Sequence, residues 1–331
     1  MRRTTQITAL AVVLGALLAT PASATFPGKN GPILYRTLDP QTGLGRPLIR
    51  ALPDGSEATV ISRKPGLFSD WRADGRRIAF DLVQPNGNVQ IATSNPAGGD
   101  LRVITHGRGI HELPSWSPSG RRIVFDHSPK APDTPGFSTR LWTMRADGSH
   151  ARPLPMRRPG FDVEPKYSPD GRSIVFARLR LPTKKHGLLT AILIVPAKGG
   201  RVRRLTPWTE IPSQETPKDA YVEHPTWSPD SQWILFNVAP NGSIQAMRPD
   251  GSDRHTIRPA TRSFGGHKPW FSPDGTRIVL MCENQGTRAR PPADAYEHIC
   301  VMDADGSNLV HLTSTPGVFE NWPSWGPAPT N

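Results

Sequence analysis

Eight residues of this 331-residue sequence have side chains suited to binding or catalysis and recur shortly before a repeated aromatic residue. Histidine and carboxylate groups can ligate a metal ion or transfer protons. Lysine and tryptophan can hold an anion or a cation, respectively. Because the eight occupy matching places in the repeat, we expect them to lie together and to contact a ligand. They are His111, Glu112, Glu164, Glu223, His224, His267, Lys268 and Trp322.

Metal chemistry and acid–base chemistry are the two catalytic interpretations of this set. His111, His224 and His267 lie in three different repeats, and a zinc or manganese site can combine three such ligands with a carboxylate. No two of these histidines share a repeat at short spacing, so we predict no metal and no cofactor. Glu112 and Glu164 could form an acid–base pair, but carboxylates are common in channels. The sequence has no G-x-S-x-G element, and we assign no catalytic residue.

A repeated half-motif positions these residues. It consists of an aromatic residue, Ser-Pro, an acidic-glycine turn and an apolar strand of the form Ile-x-Phe. Asp-Gly between strands is a strong hairpin signal because glycine adopts a positive φ without steric cost. A second half-motif, two short strands around a D-G-S-like turn, follows each first one. The aromatic residues of the first half-motif are Trp71, Trp116, Tyr167, Trp227, Phe271 and, in a shortened last copy, Trp325.

These repeats determine the predicted fold class. The 37 prolines and 30 glycines interrupt the chain too often for long helices, which excludes helix bundles and doubly wound α/β folds. The last copy lacks its Ile-x-Phe strand, and residues 31–35 supply that pattern near the start of the chain. We therefore predict an all-β fold. It is a six-bladed β-propeller of four-stranded antiparallel blades, with the last blade closed by both chain ends.

The pattern P-x-W-S-P-D-G-x-x-I-x-F resembles the propeller repeats of the TolB family, the periplasmic partner in the Tol–Pal envelope system. The resemblance covers about residues 31–327 and lacks the α/β domain that precedes the propeller in TolB. It implies a secreted or cell-envelope binding module for a protein or a glycan. The alternative is a lyase or hydrolase that acts on an anionic polysaccharide in the channel, with or without a metal, because some pectate-degrading lyases have related propellers.

The two faces of the predicted propeller differ in loop length and charge. Four long segments, residues 127–139, 178–188, 206–222 and 283–297, fall on the face that carries the channel mouth, and long loops on a rigid scaffold are where function usually lies. The opposite face has tight turns and an arginine-rich surface that could contact an anionic polymer or membrane. This arginine-rich face comprises Arg76, Arg77, Arg121, Arg122, Arg145, Arg172, Arg248 and Arg277.

Composition and the chain start indicate the compartment. Arg2 and Arg3, an apolar run and a small-residue end predict a signal peptide over residues 1–24, cleaved after Ala24, and a propeller domain over residues 25–331. The chain carries a formal net charge of +12. We expect an extracytoplasmic protein, secreted or in the cell envelope or periplasm, that does not span a membrane or bind nucleic acid. It should be monomeric and have an envelope protein or polysaccharide as partner. Cys282 and Cys300 fall on neighbouring strands of one blade and predict a disulfide.

Overall fold

A computed structural model describes residues 27–38, 45–130, 137–211, 221–239, 242–261, 263–283, 297–315 and 318–329. In these ranges the chain forms strands and turns and contains no α-helix, which confirms the all-β class. It follows that the same ranges hold no helix of the length and apolarity needed to cross a membrane. The predicted signal peptide and parts of three predicted long loops lie outside the described residues.

Each repeat folds as two hairpins whose alternate side chains face inward, as the period of two in a strand requires. In chain order the strands are β1 (Asn30–Leu38), β2 (Gly45–Ala51), β3 (Thr59–Ser62), β4 (Ser69–Trp71), β5 (Ile78–Val83), β6 (Val89–Ser94), β7 (Arg102–Val103), β8 (Ile110–Trp116), β9 (Arg122–Ser128), β10 (Arg140–Arg145), β11 (Arg152–Pro153), β12 (Met156–Arg157), β13 (Phe161–Tyr167), β14 (Ser173–Arg180), β15 (Leu189–Pro196), β16 (Gly200–Arg201), β17 (Arg203–Arg204), β18 (Thr209–Glu210), β19 (Tyr221–Trp227), β20 (Ile234–Ala239), β21 (Ser243–Met247), β22 (His255–Arg258), β23 (Gly265–Phe271), β24 (Arg277–Glu283), β25 (Glu297–Asp303), β26 (Val310–His311) and β27 (Phe319–Pro327).

These strands pair antiparallel in groups that follow chain order. The groups are β4 to β7, β8 to β11, β13 to β15 with β17 and β18, β19 to β22, and β23 to β26. A sixth group has the order β27-β1-β2-β3. A single parallel pair, Val89 with Ile110, joins the first two of these groups into one sheet, and β12 pairs with β16 in a small parallel sheet.

The repeated aromatic residue is buried where its group meets the preceding group. Trp71 packs against Leu34 and Leu48 of the group before it, and Tyr167 packs in the same way against Val124 and Leu141. One such cluster lies at each boundary between consecutive groups, and one joins the last group to the first. The aromatic and Ile-x-Phe residues of the repeat are thus buried and form the apolar core.

The two ends of the described chain meet in one sheet. Strand β27 pairs antiparallel with β1, with Ile33 opposite Trp325. The Trp325 Nε1–H donates to the Gly31 carbonyl at 2.9 Å. A Cβ at Gly31 would collide with the backbone of Pro327, so this close approach requires glycine. Strand β1 therefore lies beside β27, the strand that carries the repeated aromatic residue Trp325. In the other groups an Ile-x-Phe strand occupies this position.

The predicted disulfide is confirmed. Cys282 of β24 and Cys300 of β25 are bonded, with 5.9 Å between their Cα atoms and a sequence separation of 18. The strand register places Leu280 opposite Cys300 and Cys282 opposite His298. The two cysteines are thus diagonal neighbours on one face of the sheet, where both are buried.

Replacing both cysteines by serine should lower the free energy of unfolding by about 3 kcal/mol, the chain-entropy value for a loop of this length. Denaturant titration of the double variant Cys282→Ser, Cys300→Ser against wild type measures the change. Thiol titration of denatured wild type without reductant is the control, and two reactive thiols there would refute the bridge.

Candidate functional site

A backbone bulge recurs in the innermost strands, three residues before the repeated aromatic residue. At this place the pairing register shifts in β8, β13, β19, β23 and β27. The residue there has a positive φ, between 52° and 59°, and a proline follows it. Proline has no N–H, so placing it in the bulge removes no bond from the ladder. The bulged residues are Leu113, Glu164, His224, Lys268 and Trp322.

The bulge turns the N–H of the residue before proline away from its own ladder. In three strands a side chain of the preceding group accepts it. Glu164 N–H donates to Asp126 Oδ2 at 3.3 Å, and His224 N–H donates to Glu164 Oε2 at 2.9 Å. Lys268 N–H donates to Asn237 Oδ1 at 3.3 Å. These bonds tie each innermost strand to its neighbour and hold the bulged side chain in place.

The bulged side chains converge on one cavity of about 50 Å³. In the repeat that contains β4, Phe68 lies three residues before the aromatic residue Trp71 and also lines the cavity. Two positions further along the strands, Lys166, Thr226 and Trp270 line the cavity beyond this rim. We call this space the channel cavity. Its rim residues are Phe68, Leu113, Glu164, His224, Lys268 and Trp322.

Carboxylates and imidazoles alternate in a series that starts at the rim residues Glu164 and His224 and continues away from the rim. Glu164 Oε1 lies 2.6 Å from His224 Nδ1, and His224 Nε2 lies 3.6 Å from Glu223 Oε1. Glu223 Oε1 is 3.7 Å from His267 Nδ1, and His267 Nε2 is 3.3 Å from Glu283 Oε1. The structure thus joins four of the predicted site residues into one hydrogen-bonded and ion-paired chain.

Electrostatic interactions within this hydrogen-bonded and ion-paired series favour the charged forms of Glu223 and His267. Burial alone would raise the pKa of Glu223, but His224 together with hydrogen bonds from His267 and Asn237 lowers it to about 2. Burial opposes protonation of His267, yet its contacts with Glu223 and Glu283 raise its pKa overall. Such paired groups can bind a polar ligand or pass a proton.

Glu112 is not part of this hydrogen-bonded and ion-paired series, and it lies near other carboxyl groups. Burial, with the nearby charges of Asp81 and Glu164, raises the pKa of Glu112 to about 8. Burial and Glu112 also raise the pKa of Asp126 well above its ordinary value. Glu112 is therefore a protonated carboxylic acid at neutral pH, placed next to the cavity rim but not lining the cavity.

His111 takes a different position from the other predicted residues. Its Nδ1 lies 3.3 Å from the Val89 carbonyl oxygen, and its ring lies 4.5 Å from that of His127. Burial and the charge of His127 lower the pKa of His111 to about 4.

In the described part of the chain, only Cys282, Cys300 and His311 lie close enough together to act as three potential metal ligands, and both cysteines are in the disulfide.

Several cavity residues lie outside the predicted set, among them Phe68, Leu113 and Lys166. Proline directly after a bulged residue is the sequence signal that would have found Leu113. The Lys166 ammonium lies 4.5 Å from the centre of the Trp270 ring, and the Lys268 ammonium lies 3.8 Å from that of Trp322. Burial lowers the pKa of both lysines, against the nearby carboxylates.

Comparison with known proteins matches residues 48–329 to the family described as TolB beta propeller domain. An uncharacterized protein of Agrobacterium fabrum is 25% identical over 289 residues, which cover 73% of this chain and 91% of that protein. The Tol-Pal system protein TolB of Anaeromyxobacter dehalogenans is 31% identical over 146 residues, 44% of this chain. That match spans 29% of the TolB protein.

The crystal structure of TolB from Acinetobacter baumannii is similar in fold. It aligns with a TM-score of 0.68 over 92% of this chain and 68% of that chain, at 22% sequence identity. At this identity the likeness concerns the fold alone.

The variant Glu112→Gln should become more stable relative to wild type as pH rises. Between about pH 4.5 and 8 the unfolded chain loses a proton that folded Glu112 keeps, so wild type loses stability over this window and the glutamine variant does not. Between pH 5 and 9 the gain in unfolding free energy should exceed about 1.4 kcal/mol, the equivalent of one pKa unit.

Denaturant titration at both pH values measures this difference. The exposed residue Glu57 offers a matched control, since Glu57→Gln should follow wild type at both values. An unchanged difference between Glu112→Gln and wild type over the range would contradict the assigned environment of Glu112.

Proposed function

The chain belongs to the TolB beta propeller domain family, and we propose that it is a binding module that works outside the cytoplasm. In this proposal the channel cavity is the binding site and an extended segment of an envelope protein is the ligand. Glu164, His224, Lys268 and Trp322 line the cavity, and Glu223 and His267 join them through the ion pairs of Glu223 with His224 and with His267. These six are the proposed binding residues, with His111 and Glu112 as supporting residues beside them.

One observation carries the proposal: separate strands each bring one side chain to the same cavity through the same strained bulge. Non-glycine residues with positive φ cost free energy and persist where the surrounding structure enforces them, often at functional sites. The rim combines apolar Phe68, Leu113 and Trp322 with charged Glu164 and Lys268. Such a mixture suits a peptide segment, which presents both apolar side chains and backbone polar groups.

The size of the cavity favours a narrow ligand. A volume of about 50 Å³ has room for only a few water molecules. An extended chain or a single side chain fits this space better than a pyranose ring does.

The proposal takes the sheet groups as six blades of a closed propeller whose last blade contains both chain ends. The β27–β1 pairing and the apolar clusters that join the sixth group to β23–β25 on one side and to β4–β6 on the other support this arrangement. Closure leaves no unpaired strand edge at the junction. It also gives the binding residues a rigid circular frame.

The proposed location rests on two observations. The disulfide between Cys282 and Cys300 suits an oxidising compartment. The basic, apolar and small-residue order of residues 1–24 suits a cleaved signal peptide. We propose a mature domain of residues 25–331 that acts as a monomer.

A pull-down from a cell-envelope extract of the source organism tests the binding function, with and without a chelator. Wild-type chain should enrich an envelope protein in both conditions, and Trp322→Ala should reduce its recovery at least tenfold. Trp322 packs its ring 4.2 Å from that of Phe68 at the rim. The matched control is Trp233→Ala, because Trp233 packs against Arg248 and His255, away from the cavity.

Equal recovery by Trp322→Ala and wild type would contradict the assigned site. The competing function, a lyase or hydrolase for an anionic polysaccharide, predicts degradation of polyuronate by the wild-type chain. Loss of that degradation on chelation would favour a metal-dependent enzyme over a binding module.

The arginine-rich face is a proposed second contact surface, for an anionic polymer or membrane. Some of its charge is paired, as Arg77 Nη1 lies 2.6 Å from Asp100 Oδ2 and Arg248 Nε lies 3.3 Å from Asp253 Oδ2. Binding to anionic vesicles should therefore be modest and should fall as salt is added, because salt screens exposed charges. Co-sedimentation with anionic and zwitterionic vesicles measures it, and salt-independent binding would exclude this surface.

A further inference from the structure

Two lysines line the channel cavity without a bonded partner for their ammonium groups. Within the described residues, neither Lys166 Nζ nor Lys268 Nζ makes a hydrogen bond or a salt bridge, and each lies against a tryptophan ring. An ammonium group has three donors and no acceptor. Donors that face a narrow cavity without acceptors mark a place where a ligand can supply them.

The carboxylates near these lysines are already engaged. Glu164 accepts the His224 N–H and pairs with the His224 ring. Asp70 accepts the Trp71 and Trp116 N–H groups at 2.9 and 2.8 Å. These carboxylates favour the charged form of the lysines, but within the described residues none of them forms a hydrogen bond with an ammonium group.

Glu297 and Glu223, which also act on Lys268, are bonded elsewhere. Glu297 Oε2 accepts from Asn321 Nδ2 at 3.0 Å. Glu223 Oε1 accepts from Asn237 Nδ2 at 3.0 Å.

Thr226 Oγ1 and Trp270 Nε1, which also line the cavity, have no hydrogen-bond partner in the described residues. Among the cationic donors of the cavity, the lysine ammonium groups are the ones without a bonded partner in those residues.

We infer that the channel cavity receives the C-terminal carboxylate of an extended peptide, with the ammonium groups of Lys268 and Lys166 as its donors. Charge-assisted bonds of this kind are the strong ones in proteins. Lys268 lies at the rim, and Lys166 lies two strand positions further in, about 7 Å along a strand. This inference rests on the proposed peptide-binding function and specifies the chemistry of its ligand.

A chain end fits the cavity better than an internal acidic residue does. An internal residue requires the backbone to enter and to leave, whereas a terminus enters once, and the cavity has only about 50 Å³. Its walls include Pro225, Pro269 and Pro323 next to the rim aromatics. Those apolar walls can pack against the last side chains of the peptide while the carboxylate meets the lysines.

The test uses a degenerate library of N-acetylated hexapeptides, made once with a free C-terminal carboxylate and once as the C-terminal amide. The full chain is equilibrated with each library, and retained peptides are quantified by mass spectrometry. Wild type should retain the acid library at least tenfold better than the amide library. Lys166→Met and Lys268→Met should each remove most of this preference, and Lys198→Met, on an exposed turn, should preserve it.

The outcomes separate this inference from the proposed function. Equal retention of acid and amide libraries, lost in Trp322→Ala, would overturn carboxylate recognition and leave peptide binding intact. No retention of either library would count against peptide binding itself. Displacement of retained acid peptides by an oligouronate, dependent on both lysines, would overturn the peptide terminus as ligand in favour of a glycan carboxylate.

If the lysine variants fail to fold, a competition experiment on the wild-type protein still tests the inference. Wild-type chain alone can be challenged with N-acetylglycine and with N-acetylglycinamide as competitors for the retained peptides. Only the carboxylate should displace them, and equal displacement by the amide would refute the inference.

Discussion

The backbone N–H of the residue before each channel proline has no place in its own strand ladder, because the bulge turns it away. A buried unpaired N–H is costly, so an acceptor must lie within reach. For Glu164, His224 and Lys268 the acceptors are Asp126, Glu164 and Asn237 of the preceding group of strands, and for Trp322 the acceptor is Asn321 of its own strand. In the first three strands the same bond therefore fixes the register between neighbouring groups and holds the bulged side chain at the channel cavity. In those strands one constraint links the packing of the groups to the geometry of the cavity.

Burial and charge oppose each other throughout the channel cavity. Glu112 is held protonated near neutral pH, whereas Glu223 is held ionised by His224, His267 and Asn237. Two carboxyl groups at the same strand position of different repeats thus differ in charge state, set by whether a cation is within reach. Within the described residues, no side chain forms a hydrogen bond or a salt bridge with the ammonium group of Lys166 or Lys268. The ionisable groups around the cavity are thus paired unequally.

Much of the fold and part of the site could be predicted from residue patterns. The aromatic residues, the Ile-x-Phe strands and the Cys282–Cys300 bridge followed from spacing, because hairpin pairing and strand period are local rules. His111 illustrates the limit. It precedes the bulged residue Leu113 by two positions, and in each innermost strand the bulged residue is the one that lines the cavity rim. The residue pattern predicts a group of polar positions before the aromatic residue, but which of them faces the cavity depends on the bulge in the folded backbone.

The sequence by itself determined the repeat, its four-strand content and the approximate positions of the residues around the cavity, since turn chemistry and apolar alternation act over a few residues. Only the tertiary structure decided which of those residues meet. The Glu164–His224 pair joins residues 60 positions apart, and Lys166 enters the site through its packing on Trp270. Such contacts depend on how separate groups of strands pack together. That packing is set by buried aromatic side chains and by backbone N–H groups that donate to acceptors in the neighbouring group of strands.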